Sequence, residues 1–300
     1  MKDSNNKSVA LLLAATGVIF YSTKAVFVKM AYAYDIDPVT LMLYRLLLSM
    51  PFYLVVWVIH NTKNKDEPKA SFKDILLIIF LGIIGYYVSS LLDFIGLQYI
   101  DASLERLILF IYPTIVLILS RIFLKKKVTK QQLLAIALTY IGVFVIFSQN
   151  LLTGTQSDNV LLGAGLIFLC ALTYATYLVG SNSLLPKLGT INFTTYVMLV
   201  SFLAVLIHYY FEFGLTLKIY PTEVYIISAF MAIISTVLPS YMIGEAIKRA
   251  GANTVGIMGS LGPISTISLS MVFLGETLTL IQYIGALIIL GGIFIITHKK

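Results

Sequence analysis

Ten windows of about 20 apolar residues, the length that crosses a bilayer core, follow one another with almost nothing between them. They lie near 9–33, 39–59, 73–97, 102–122, 130–148, 160–181, 191–212, 222–243, 252–273 and 279–297. The longest polar spacer, from His60 to about Phe72, is too short to fold by itself. A chain with 59% hydrophobic and 12% charged residues cannot coat a soluble surface. Its main solvent is expected to be lipid. Backbone inside lipid must satisfy its own hydrogen bonds, so each span is a helix or part of a closed barrel. Continuous apolar runs without alternation select helices. The first span is read as retained rather than cleaved, because it is long, lacks a small-residue cleavage site and contains Lys24.

Lysine and arginine set the orientation. With the N-terminus inside, sixteen of the 21 fall in cytoplasmic pieces, only Lys218 falls in an external loop, and Lys24, Lys29, Arg45 and Arg106 lie within spans. The expected fold is therefore an all-α integral membrane protein with both termini cytoplasmic, in the cell membrane. The net charge of +7 does not indicate nucleic acid, because the basic residues sit in short spacers between spans. The single cysteine, Cys170, and three scattered histidines provide neither a disulfide nor a metal-ligand pattern, and no phosphate-cradling GxxxxGK[ST] motif occurs. No cofactor is expected.

Residues 113–147 and 263–297, offset by 150, are identical at ten of 35 positions without a gap. The shared positions include Pro113/Pro263, Ser120/Ser270, Thr129/Thr279, Gln132/Gln282 and Gly142/Gly292. A weaker correspondence joins Tyr21 with Tyr174. Two units follow, 1–148 and 159–300, of five spans each. An odd number of spans inverts the second unit in the membrane, an architecture that secondary transporters use with the substrate at the repeat interface.

Ten spans in two sets of five, an arginine early in span two ("LMLYRLLLSMPF") and the ending "FLGETLTLIQYIGALIILGGIFII" resemble the EamA-type transporters of the drug/metabolite transporter superfamily. The resemblance implies a metabolite transporter, often an exporter. It places the cavity among the first, third and fourth helices of each half, with the fifth helices peripheral. The departure is "FLKKKVT" in the first repeat, where the second has "FLGETLT". Gly275 and Glu276 read as a turn and helix cap rather than as reacting groups.

An ionisable side chain in a span costs about 2.5–3.5 kcal/mol on insertion scales. Six occur in the first half: Lys24, Lys29, Arg45, Asp93, Glu105 and Arg106. At the repeat-equivalent positions stand Tyr177 for Lys24, Met198 for Arg45, Val255 for Glu105 and Gly256 for Arg106. At 1.5 Å per residue, Lys24 lies about 15 Å below the outer surface. Out of easy reach of headgroups, it must face a cavity or a carboxylate. Lys29 is close enough to snorkel. Glu105 and Arg106 face either the outer interface or the interior, and Arg45 either joins helices or meets cargo.

The candidate substrate-binding residues are Lys24, Arg45, Tyr21, Tyr177 and Asn253. Asp93, Glu105 and Arg106 are candidates for proton coupling or ion pairing, and Pro113 and Pro263 for hinges, since proline removes a donor and clashes one turn earlier. If both carboxylates pair with cations, two positive charges remain in an outward-facing chamber for an anionic group on the cargo. The leading reading is a secondary transporter, an exporter by the resemblance, of a small polar metabolite such as an amino acid or organic anion. A lipid or lipid-precursor flippase is the alternative. The expected partners are the metabolite, the bilayer and, if Asp93 or Glu105 titrates, protons; a homodimer stays open. Intramembrane catalysis lacks paired aspartates or a nearby histidine.

Overall fold

A computed structural model describes the chain except residues 1, 65–69, 125–132, 135, 136, 139, 143, 146–157, 260 and 298–300. The side chains of residues 2–7, 124, 158, 252–254, 256, 257, 289 and 292–297 also fall outside it. The described residues form helices and no strand. Among the described residues, seven helices are long and apolar enough to cross a membrane. The fifth window, 130–148, falls largely outside the described residues.

Local chemistry sets the helix boundaries. The first helix, α1 (Lys2–Tyr32), gives way to a turn in which Asp35 takes a φ of 55°. Asp37 then caps α2 (Pro38–Lys63): its carboxylate accepts from the Thr40 amide at 2.8 Å and the Thr40 hydroxyl at 2.7 Å, with Pro38 leading the helix. A reciprocal Ser71–Asp74 capping box opens α3 (Phe72–Leu81). A π-helical stretch, Gly82–Val88, joins α3 to α4 (Ser89–Tyr99) in one continuous span.

The next span is broken. Its first part, α5 (Ala102–Leu109), stops at Phe110 and Ile111, and α6 (Tyr112–Leu124) resumes with Pro113 in its first turn. Beyond α7 (Asp158–Leu188) and α8 (Thr190–Phe213), the same sequence of events recurs. Here α9 (Thr222–Ala232) passes through a π-helical Ile233–Val237 into α10 (Leu238–Met258). Gly251, with φ 81° and ψ 158°, kinks α10. The helix ends near Gly259 and restarts as α11 (Leu261–Leu274), with Pro263 in its first turn. The last helix is α12 (Leu280–Thr297). Adding 150 to Phe72, Gly82, Ala102 and Tyr112 gives Thr222, Ala232, Ala252 and Gly262. The repeated pattern thus extends upstream of its identical residues into two shared irregularities, a π turn and a proline break. The window expected to end at 243 runs on to Gly251 because nothing in "GEAIKRA" stops a helix before that glycine.

Polarity is inverted relative to a soluble protein. Phe52, Val55, Ile59, Leu206, Ile207 and Phe230 are exposed, whereas Ser22, Ser49, Asp93, Glu105, Thr114 and Ser181 are fully buried. An apolar outside around a polar inside places the polar groups where only other protein groups can satisfy them. The packing is reciprocal: α1 lies along α10 and α11, α7 lies along α4 and α6, and α2 lies on α8. Close approach is built in at Gly85, where a Cβ would come within 2.4 Å of the Tyr177 side chain.

Candidate functional site

Tyr21 on α1 and Tyr174 on α7, the residues matched by the weaker repeat register, stack on each other with ring centroids 6.1 Å apart and planes 13° from parallel. An aromatic column continues from Tyr174 to Tyr177 at 6.2 Å and to Phe193 at 6.1 Å. Tyr112 packs edge-on against Tyr174 and Tyr86 against Tyr177. Tyr177 is therefore held in this column, its ring against the π-turn backbone at Gly85.

The first-half charges collect at the Tyr21 end. Lys24, only 2% exposed, places Nζ 2.7 Å from Oδ2 of the fully buried Asp93. The contact is ionic, without the alignment of a hydrogen bond. The same ammonium lies 4.8 Å from the Tyr21 ring centre, within cation–π range. The residue after Tyr21, Ser22, links the halves: its hydroxyl donates to Gly262 O at 3.3 Å, and its carbonyl accepts from the Thr266 hydroxyl at 3.0 Å. Thr266 Oγ1 in turn accepts from Arg106 Nε at 2.8 Å, and Arg106 Nη2 donates to Tyr21 O at 3.3 Å. Arg106 thus grips the broken α11 and the backbone of α1 at once.

Glu105 is fully buried, and neither carboxylate oxygen has a hydrogen-bond partner among the described residues. The charged groups acting on it are Asp93, Arg106 and Lys24. Arg45 is also buried; Nη2 donates to Ser90 Oγ at 3.2 Å, and the guanidinium lies 5.0 Å from the Phe94 ring centre. Its Nε has no hydrogen-bond partner among the described residues, and Asp93 is again within electrostatic reach. Three cations and two carboxylates consequently form one buried cluster around Asp93.

Of the two orientations open to Glu105 and Arg106, the structure shows the interior one. Lys24 meets a carboxylate rather than an empty chamber. Of the two carboxylates, Asp93 has a cation at ion-pair distance among the described residues, whereas Arg106, next to Glu105 in the chain, directs Nε and Nη2 to Thr266 and Tyr21 O. Lys29 is set apart: its ammonium donates to Leu97 O at 3.1 Å, beside a cleft of about 410 Å³ with Tyr32, Asp35 and Asp37. The side chain of Asn253 lies outside the described residues. Sequence reading missed Ser22 and Ser90, ordinary residues in an apolar helix until the fold brings Ser90 to Arg45 and Ser22 to the backbone of α11.

Between the two helix breaks lies a cavity of about 20 Å³, lined by Tyr21, Arg106, Phe110, Tyr112, Tyr174 and Gly259 among others. That is room for about one water. Pro113 and Pro263 flank it on the restarting helices. The amide of Gly262 bonds to Gly259 O at 2.8 Å and that of Ile111 to Ile108 O at 3.0 Å, tight turns in place of helical bonds.

A model of the EamA-like transporter family matches residues 8–148 and again 161–298. The chain belongs to that family. This EamA-like chain is a multi-pass protein of the cell membrane, and the two relatives that follow carry transporter names. Uncharacterized transporter YcbK of Bacillus subtilis is 31% identical over 284 residues, covering 93% of this chain and 88% of that protein. Uncharacterized transporter YyaM of the same organism is 27% identical, covering 83% and 81%. A solved crystal structure described only as that of a protein aligns with a TM-score of 0.72 at 14% identity, over 96% of this chain and 98% of the other. That likeness shows a shared fold.

Proposed function

We propose that this EamA-like protein is a secondary-active exporter of a small polar metabolite bearing an anionic group, an amino acid or organic anion. Units 1–148 and 159–300 are inverted five-helix repeats, ten spans in all with both termini cytoplasmic, and they rock about the Tyr21–Tyr174 contact in alternating access. The loops around Asp35, Asp101 and Glu276 then lie outside, and those around Lys63, Lys187 and Gly251 lie inside. Reciprocal packing of α1 and α7 on the opposite halves supports the inverted arrangement, and the two proline breaks supply points of flexure.

One observation carries the reading: five charged side chains of one half are buried where both halves meet, and Glu105 has no hydrogen-bond partner among the described residues. A group that costs this much to bury is a functional candidate by default. In alternating access the cargo's anionic group displaces Asp93 from Lys24, with Arg45 adjacent, while Asp93 or Glu105 takes the proton that couples flux to the gradient. Tyr21 and Tyr177 line the way, and Asn253 sits on the helix that closes against them. The conformation described is closed at this point, since the cavity has room for about one water and not for a metabolite. A site enclosed by both halves supports a compact cargo rather than a lipid chain.

Counterflow into liposomes loaded with anionic, zwitterionic or cationic metabolite pools tests the proposal. Exchange is expected with the anionic or zwitterionic pools. Strict preference for cations would contradict it.

A further inference from the structure

The helix that presents Glu105 and Arg106 is not capped by its own half. Asp101 stands at the N-cap of α5, a residue type suited to accept from the first free amides, yet its side chain makes no cap hydrogen bond. The amides of Ala102 and Ser103 donate instead to the two oxygens of Glu276, each at 2.9 Å. Ser103 Oγ adds a bond of 2.7 Å to the same carboxylate and touches Ser270 Oγ at 2.6 Å.

Glu276 reaches this place because α11 ends in Gly275 with φ 67°, a conformation that costs glycine little and other residues more. The Glu276 amide then donates back to Ser270 O at 3.3 Å. A carboxylate anchored to the second half therefore closes over the positive end of a helix in the first, with charge-assisted bonds and a favourable helix dipole. The chain is doubled but this device is not. At the offset of 150, Gly275 and Glu276 correspond to Lys125 and Lys126. A lysine ammonium accepts no hydrogen bond, so it cannot perform the same capping at the equivalent helix start, Ala252.

We propose that Glu276 is a positioning residue of the transport cycle. It is a latch that holds α5, and with it Glu105 and Arg106, against α11, and it must release for the outer end to open. This rests on the alternating-access reading, so the test measures conformation and not flux. Full-length protein in lipid nanodiscs, with Cys170→Ser, carries spin labels at Gln98→Cys and Thr277→Cys across the latched end. A second preparation carries them at Thr62→Cys and Ser183→Cys toward the opposite end. Pulsed dipolar spectroscopy reads the distance distributions.

Glu276→Gln, which keeps the shape and loses the charge, is expected to raise the long-distance population of the Gln98–Thr277 pair about tenfold, the scale of a lost charged cap. Glu276→Asp gives a smaller rise, and the Thr62–Ser183 pair does not lengthen. A Gln98–Thr277 distribution identical to that of the wild type overturns the proposal, including the case where only thermal stability falls. If Glu276→Gln does not accumulate, Ser103→Ala is measured in its place; a rise of about threefold is expected, and no rise overturns the proposal. Alternating access stands or falls separately, on whether wild-type protein with the same labels exchanges between populations at the two ends when cargo is added.

Discussion

The two helix breaks share a backbone plan and differ in what they carry. In the first half, Glu105 and Arg106 precede the break at Phe110; in the second, Val255 and Gly256 precede the break at Gly259. The π turns differ likewise: Asp93 lies beyond the first, and its counterpart beyond the second is Ile243, which faces the cavity by Tyr21. The backbone irregularity is evidently kept by both copies, while the charge belongs to one. A symmetric scaffold with an asymmetric lining is what a machine needs if both halves move and one binds. The apolar half also gives the cluster a low-dielectric wall, which strengthens the pairing among its charges.

The largest expected effect comes from breaking the cluster at its closest contact. Lys24→Ala leaves Asp93 buried without its cation, a loss of about 3–5 kcal/mol, and abolishes counterflow. Thermal unfolding in detergent reads the first and liposome flux the second. Lys24→Met combined with Asp93→Leu restores much of the stability and none of the flux. Full flux in that double variant would show that the pair is only scaffolding.

Moving a charge to the other half sharpens the contrast. Val255→Glu, at the position equivalent to Glu105, is expected to cost about 2.5–3.5 kcal/mol, seen as a drop in unfolding temperature. A variant as stable as the wild type would mean that the second half is not apolar by requirement.

Arg106→Lys keeps the charge and loses the forked geometry that reaches Thr266 and Tyr21 O together. About 1–2 kcal/mol of stability is lost, and flux falls about tenfold, against no change for Thr173→Val, whose hydroxyl bonds within α7 to Leu169 O and Cys170 O. The smallest effect is at the surface. Lys218 reaches Asp37 at 3.3 Å and lies over the Phe213 ring; desolvation lowers its ammonium pKa, and Asp37, with Tyr220 and Tyr209, outweighs this and raises it above its ordinary value. Lys218→Met changes stability by about 0–1 kcal/mol and leaves flux unchanged.

The spans, the doubling and the ionisable residues were legible because each leaves a one-dimensional trace: apolar length, matched prolines and glycines, a lysine deep in a run of hydrophobic residues. What those residues touch was not legible. Lys24 and Asp93 are distant in sequence, and no periodicity selects Asp93 over Glu105 as the partner. Nothing in the sequence ties Thr266 to a charge, and only the approach of α11 to α1 brings its hydroxyl to Arg106 and to the Ser22 carbonyl. The reading of Gly275 and Glu276 as a turn and a cap was correct in kind. It could not say that the capped helix belongs to the other half. The π turns left no trace at all, since a single extra residue in a turn does not disturb an apolar stretch without an amphipathic stripe.

The central claim is that the buried cluster of the first half carries coupled transport. Its most direct test is pH-driven flux in proteoliposomes for wild-type protein, Asp93→Asn and Glu105→Gln, each compared with cargo exchange at equal pH. At least one carboxylate variant should lose gradient-driven accumulation while retaining exchange. Accumulation unchanged in both variants would contradict the claim.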